Sequence, residues 1–398
     1  MKWRVLALCS LAFSICHAYR VILSVLLPAL KEDFQMKYTS LSILASTYDL
    51  GYFLTLVPGA YMAGKLGRKK AVCLGISLVG MSSLLSAAGG ASPLWLMIYR
   101  LLGGLGFGLY FPAGWSLLTS FFPPEERGRA FGIHTSGSAI GRVYGPLLVA
   151  ALIGVGSWRF PFWSFGLFAI AMAFLLIWGL PRLDDHQPKA ELPLRGSFAF
   201  LSEKMFLVFC SLNILTSIFF FGVVNFFPLF LSRQLRLPGA TVSGLVAFLS
   251  VATLFSNPLI GHISDKVGRY RMIPAAYAFG GLALLALPLF GGHGPILLYA
   301  GLLGISITAN VSMVISYMTE FDPRFAHPLP IAVYNMVGVA GGLLVNVFFG
   351  VLADFFGLNS VFFAMGFPLL AGSIAAAFLL RSPALLQPAI DSRETSGG

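Results

Sequence analysis

Charged residues are scarce in this chain of 398 residues. They make up 10% of the sequence, whereas hydrophobic residues make up 57%. A soluble domain covers its core with charged side chains, which are roughly a quarter of its residues. The chain lacks the residues for such a shell, and its mean hydropathy is +0.85. This composition excludes an ordinary soluble domain and predicts a polytopic membrane protein.

Cysteine is also rare, and its spacing gives no metal or redox motif. Cys9, Cys16, Cys73 and Cys210 lie singly in apolar runs, which argues against a disulfide framework and a zinc site. The net charge of +11 comes from short clusters between apolar runs. Because no basic stripe is interleaved with aromatic residues, the charge favours contact with anionic lipid over nucleic acid. We expect no metal and no cofactor.

Twelve apolar runs are long enough to cross a bilayer, and the prediction is therefore an all-α fold of twelve transmembrane helices. They cover approximately residues 5–29, 40–63, 71–90, 94–120, 129–154, 160–180, 205–231, 239–263, 272–290, 294–319, 327–353 and 359–380. The first run resembles a signal peptide, but it continues to Leu30, which favours an uncleaved span.

Lysine and arginine are distributed unequally between the two sides of these spans. With the N-terminus inside, 18 of the 26 fall in inner segments, five in outer loops and three within spans. This asymmetry follows the positive-inside rule. It predicts a multi-pass protein of the cell (inner) membrane with both termini in the cytoplasm.

The longest polar stretch, residues 181–204, predicts a cytoplasmic linker between two halves. On this division, residues 1–180 form an N-terminal six-helix bundle and residues 205–381 a C-terminal one. Residues 382–398 form a cytoplasmic tail.

The segments that follow the second span of each half are alike. Residues 64–70 read Gly-Lys-Leu-Gly-Arg-Lys-Lys, and residues 264–271 read Ser-Asp-Lys-Val-Gly-Arg-Tyr-Arg. Their glycines, Gly67 and Gly268, are separated by about half the chain. Such a repeat is typical of a two-bundle transporter with its site between the bundles. A plain basic loop that only fixes topology is the alternative.

These segments resemble the loop motif Gly-x-x-x-Asp-x-x-Gly-Arg of the major facilitator superfamily. The second copy is complete, with Gly261, Asp265, Gly268 and Arg269. The first copy has Gly67 and Arg68, but Gly64 stands in place of the aspartate. The resemblance implies two pseudo-symmetric six-helix bundles and alternating access. The motif's turn and charges would hold one conformation, a role that the missing carboxylate weakens in the N-terminal half.

Enzymatic interpretations are weaker. Residues 59–65 nearly spell a phosphate-binding loop, but Leu66 follows where Ser or Thr would be needed, and no strand precedes it. Ser116 and His134 suggest an intramembrane hydrolase only by residue type, because nothing in their spacing pairs them. We therefore expect no enzyme and no use of ATP.

Four ionisable residues lie inside predicted spans of the N-terminal half: Arg20, Asp49, Arg100 and Arg142. Such residues are costly in a membrane and are candidates for function. Three cations and one anion leave a local excess of positive charge, which suits a carboxylate or phosphate. Arg142 pairing with Asp49 is an alternative to substrate contact. Asp49 is equally consistent with a proton carrier and with a static salt bridge.

The first and fourth spans carry a narrower resemblance. Tyr19-Arg20-Val21 and the run that begins Arg100-Leu-Leu-Gly-Gly resemble the organic anion:cation symporter family. The resemblance implies that Arg20 and Arg100 bind the anionic group of a substrate. However, Tyr19 and Phe107 stand where the family has its coupling carboxylates. Either Asp49 carries a coupling proton, or the protein is a uniporter or exchanger.

The C-terminal half is expected to add neutral polar contacts to a substrate. The candidates are Asn225, Asn310, Tyr334 and Asn335. The sequence thus predicts a transporter of a small organic anion that works as a monomer in the bilayer, with or without a coupling ion. A proton-coupled exporter of drugs or metabolites, dependent on Asp49, is the alternative. A non-transporting membrane sensor is a more remote one.

Overall fold

The computed structural model describes residues 1–89, 92–181, 199–289, 295–326 and 328–380. In these ranges the structure consists of twelve long α-helices and four short 3-10 helices. The α-helices are α1 (Lys2–Asp33), α2 (Tyr38–Leu66), α3 (Arg68–Gly89), α4 (Pro93–Phe121), α5 (Pro124–Leu152), α6 (Arg159–Gly179), α7 (Lys204–Arg233), α8 (Gly239–Val267), α9 (Arg269–Ala286), α10 (Ile296–Phe321), α11 (Pro328–Phe356) and α12 (Leu358–Leu379). The predicted all-α architecture is confirmed.

Within the described residues, ten of these helices contain a stretch long and apolar enough to cross a membrane. The two others are α5 and α10. The first turns of α5 hold Glu126, Arg127 and Arg129, and Arg142 follows in its third quarter. The described apolar part of α10 is Ile296–Ile307, which is shorter than a full span. Both helices nevertheless run alongside the apolar helices of their bundle.

Helix packing follows the same order in each half. In the first, α1 packs on α5, α2 on α4, and α3 on α6. In the second, α7 packs on α11, α8 on α10, and α9 on α12. The two bundles meet along α5–α8 and α2–α11, with α1 against α7 between them. The exact domain boundaries stay a prediction, because most of the linker and the tail lie outside the described residues.

Small residues allow the closest helix contacts. A Cβ on Gly104 of α4 would lie 1.9 Å from the carbonyl oxygen of Tyr48 on α2. A Cβ on Gly141 of α5 would lie 2.2 Å from the carbonyl oxygen of Ser14 on α1. Larger residues would force these helices apart, as expected for close packing in lipid. All four cysteines are unpaired and buried within the helix packing.

The two repeated loops have the same turn. Gly67 and Gly268 end their helices with φ of 88° and 95°, a conformation that favours glycine. In the second copy, Arg269 pairs with Asp265 at 2.6 Å and also with Glu320 of α10. Gly261 lies two turns earlier on α8.

The first copy of the loop makes a different contact. Arg68 donates a hydrogen bond to the carbonyl oxygen of Ser116 on α4, at 3.4 Å. Gly64 occupies the position that corresponds to Asp265, so the carboxylate contact of the second copy has no counterpart at that position. The role of these loops as conformational latches stays a prediction.

Polar contacts join the two bundles at the end of the molecule where α1 finishes and α2 begins, here called the closed end. Asp354 of α11 accepts hydrogen bonds from the backbone N–H groups of Tyr38 (2.7 Å) and Thr39 (2.9 Å). It also accepts one from the Thr39 hydroxyl. A carboxylate from one bundle therefore caps the N-terminus of a helix in the other.

A second set of contacts lies deeper between the bundles. The side-chain amide of Asn346 on α11 donates to the carbonyl oxygen of Ser42 (2.9 Å) and to the hydroxyl of Ser46 (2.8 Å), both on α2. Asn225 of α7 donates to the Asn346 amide oxygen and accepts from the Ser24 hydroxyl of α1. These buried groups satisfy one another, and they hold α1, α2, α7 and α11 together.

Candidate functional site

A small, partly open cleft lies between the bundles, beside the α5–α8 contact. Helices α1 and α5 contribute one wall, and α7, α8 and α10 contribute the other. Of the eleven described residues that line it, eight are apolar, among them Val21, Phe220, Val224 and Leu249. Ser250, Thr253 and Arg142 complete the lining. The cleft is therefore an apolar space with one charged group.

Arg142 is that charged group, and it lies in the third quarter of α5. In the described part of the chain it has no hydrogen bond and no ion pair, while it lies within electrostatic range of Arg20 and His17. It is partly accessible from the cleft. The alternative that Arg142 pairs with Asp49 is wrong, because Asp49 is engaged elsewhere. An uncompensated guanidinium in an apolar cleft is a ready partner for an anion.

Asp49 pairs with Arg20. The Arg20 Nε lies 2.8 Å from the Asp49 Oδ1, and the carboxylate is almost fully buried. The Arg20 guanidinium also lies about 5 Å from the ring centres of Phe220 and Phe221, on α7 of the other bundle. Phe220 in turn lines the cleft. Arg20 thus lies behind the cleft wall, with its charge balanced by Asp49.

Arg100 is not brought into the cleft. Its side chain is 1% exposed and donates hydrogen bonds to the backbone oxygens of Tyr19 (2.8 Å) and Arg20 (3.4 Å). Its guanidinium lies 4.5 Å from the Tyr19 ring centre and 4.9 Å from that of Tyr48. Arg100 is therefore enclosed within the N-terminal bundle. Its hydrogen bonds support the turn of α1 that carries Arg20. The sequence predicts three arginines and one carboxylate in this region. Without Arg100, the region of the cleft contains two arginines, Arg20 and Arg142, and one carboxylate, Asp49, so the excess of positive charge is smaller than expected.

His17 is a neighbour of the site that residue spacing did not single out. It precedes Arg20 by about one turn of α1, is half-buried, and donates from Nδ1 to the Phe13 carbonyl oxygen at 3.1 Å. Its ring meets the Phe13 and Phe107 rings edge-on. Its spacing of one helical turn from Arg20 places both residues on the same face of α1, and this spacing could have identified His17 from the sequence.

Three neutral candidates of the C-terminal half, Asn225, Tyr334 and Asn335, are not among the described residues that line the cleft. Asn225 is buried in the contacts between the bundles, as described above. Tyr334 is buried, and its backbone oxygen accepts a hydrogen bond from the amide of Asn213 at 2.6 Å. Asn335 is exposed on α11. The side chain of Asn310 lies outside the described residues.

Comparison with known families gives a match over nearly the whole chain. The sequence model of the Major Facilitator Superfamily matches residues 8–323 and 209–396. A probable sulfoacetate transporter of Cupriavidus necator is 25% identical over 87% of this chain and 84% of its own length. A probable anion transporter of Arabidopsis thaliana is 23% identical over 86% of each chain.

Other relatives match only in part. A probable chloroplast anion transporter of Arabidopsis thaliana is 30% identical over 44% of this chain. That alignment spans 33% of the relative, about a third of its length. Among solved structures, a bacterial homologue of the lysosomal transporter Spinster, in an inward-facing and unoccupied conformation, superposes with a TM-score of 0.78 at 18% identity. The superposition covers 97% of this chain and 96% of the other. At this sequence identity it shows a shared fold and nothing more.

Proposed function

Because this chain belongs to the major facilitator superfamily, we propose that it transports a small organic anion by alternating access, with Arg142 as the residue that binds the anionic group. The observation that carries the proposal is the uncompensated charge of Arg142 in a cleft between the two bundles. Relatives that match over most of the chain bear the names of anion transporters, which supports the same substrate charge.

In this proposal the two arginines expected from the first and fourth helices have different roles. Arg20 pairs with Asp49 and packs against Phe220, so it contributes to the cleft wall without offering a free charge to the substrate. Arg100 positions α1 through its backbone contacts. The closed end, sealed by Asp354 and Asn346, faces outward if the basic loops lie in the cytoplasm. The cleft is then reached from the cytoplasmic side.

The alternative function, export of lipophilic cations in exchange for protons, finds less support. It requires a carboxylate available in the cleft, whereas Asp49 is already paired with Arg20 and does not line the cleft. The positive charge of Arg142 would also repel a cation. Transport tests nonetheless separate the two functions directly.

The test is uptake into proteoliposomes, with a matched pair of variants on one helix. Radiolabelled organic anions and a lipophilic cation are offered to the wild type, to Arg142→Gln and to Arg129→Gln. Arg129 is an exposed cation at the start of α5, outside the cleft lining. We expect anion uptake by the wild type and Arg129→Gln and its loss in Arg142→Gln. Uptake of the cation alone, unaffected by either change, would overturn the proposal.

A further inference from the structure

The balance of charge around the cleft determines how many negative charges a substrate can carry. Arg20 and Asp49 neutralise each other, and Arg142 has no ion pair in the described part of the chain. Arg100 donates to backbone oxygens inside the N-terminal bundle and is not among the described residues that line the cleft. Among the described residues that line the cleft, Arg142 is therefore the one charged group, and it is uncompensated. A second negative charge on the substrate would enter an apolar space without a partner.

The cleft wall also limits how polar the rest of a substrate can be. The two hydroxyls that line it already donate to backbone oxygens of α8 and α10. Ser250 donates to the Val246 carbonyl oxygen at 3.0 Å. Thr253 donates to the carbonyl oxygens of Leu249 and Gly304, both at 2.9 Å. Among the described lining residues, Arg142 is therefore the remaining hydrogen-bond donor, and a substrate with several hydroxyl groups would find few partners for them.

The remaining wall is made of aliphatic and aromatic side chains. Val223, Val224 and Phe227 of α7 face this space together with Val246 of α8 and Ile307 of α10. Such a wall stabilises an apolar body by removing it from water, and the gain rises with each methylene group.

From the single charge and the apolar wall we propose that the substrate is a monovalent anion with an apolar body, such as a monocarboxylate or monosulfonate. This inference rests on the proposed function and narrows its substrate class. The anionic group pairs with Arg142, and the hydrocarbon part lies against α7 and α8. Phosphate, dicarboxylates and sugar acids fit this cleft poorly.

Binding of a graded series of anions to the purified protein tests the inference. Sodium salts of butanoate, pentanoate and hexanoate are compared with succinate, inorganic phosphate and gluconate at constant ionic strength, by calorimetry. We expect the Kd to fall by roughly fourfold for each added methylene until the cleft is filled. We expect this binding to be lost in Arg142→Gln and kept in Arg129→Gln.

A variant of the wall separates apolar contact from charge pairing. Val224→Thr keeps the volume of a partly exposed lining residue but adds a hydroxyl. It should flatten the dependence of Kd on chain length while leaving the requirement for Arg142 intact. A wild type that shows no such dependence would overturn the apolar half of the inference.

The remaining outcomes distinguish this inference from the proposed function. If succinate, phosphate or gluconate binds at least as tightly as hexanoate and needs Arg142, the substrate class is wrong and anion transport stands. If no anion binds in an Arg142-dependent way and no anion is taken up, both proposals fail.

Discussion

The carboxylate of Asp354 accepts a hydrogen bond from the backbone N–H of Thr39, 2.9 Å away, although the two residues belong to different bundles. Through this contact, a residue of the C-terminal bundle caps the first turn of α2 in the N-terminal bundle. The energy of this cap therefore depends on the relative position of the two bundles, whereas the energy of a cap within one helix would not.

Loss of this cap should loosen the closed end. We expect Asp354→Ala to weaken the contact by about 1 kcal/mol, the usual cost of removing a capping carboxylate. Hydrogen exchange at the amides of Tyr38 and Thr39 should become faster in the variant. Asp265→Asn, which alters an ion pair inside the C-terminal bundle, serves as the control. Unchanged exchange at the start of α2 in Asp354→Ala would contradict the prediction.

Asp49 should stabilise the protein chiefly through Arg20. In Asp49→Asn, the Arg20 guanidinium loses its buried partner, and we expect a loss of about 3 kcal/mol. The double variant Arg20→Gln/Asp49→Asn should lose less than the sum of the two single changes. A double-mutant cycle of thermal stability in detergent measures this coupling. Additive effects would show that the two residues do not interact.

Arg100 and Arg142 should affect stability in opposite ways. Arg100→Gln removes buried hydrogen bonds to the α1 backbone, and we expect the ligand-free protein to lose about 2 kcal/mol. Arg142→Gln removes an unpaired charge from an apolar cleft, so the ligand-free Tm should stay the same or rise. Thermal unfolding of both variants without ligand checks this difference. A lower Tm for Arg142→Gln would reveal a structural partner for that arginine.

Gly104 should be needed for the close approach of α2 and α4. A Cβ there would collide with the Tyr48 carbonyl oxygen, so we expect Gly104→Ala to cost about 3 kcal/mol or to reduce folded yield. Gly132 of α5 has open space at its Cβ position. Gly132→Ala should therefore be neutral or stabilise its helix by up to about 1 kcal/mol. Size-exclusion profiles and Tm compare the pair, and equal behaviour would contradict the packing argument.

Most of the fold could be predicted from the sequence because hydropathy reports the length of an apolar helix in the membrane. The first predicted span, residues 5–29, lies within α1 (Lys2–Asp33), whose ends continue past the apolar stretch. Hydropathy does not register such ends, because they are polar.

The candidate site could be predicted only in part. Counting residues along a helix gives the depth of a charge but not the direction it faces. On helices that are apolar on most sides, hydropathy does not separate the inner face from the outer one. Arg100 and Arg142 therefore looked alike in the sequence, whereas the first faces Tyr19 inside its bundle and the second faces the cleft. The pairing of Asp49 with Arg20 depends on the same directions.

The burial of all four cysteines gives the protein a practical property. A thiol within packed apolar surroundings reacts slowly, because the reactive thiolate is disfavoured there. Maleimide probes should therefore modify an introduced surface cysteine in preference to the native ones. Spin labels or fluorophores placed on α2 and α11 could then follow the separation of the bundles during turnover, in a chain that keeps its natural thiols.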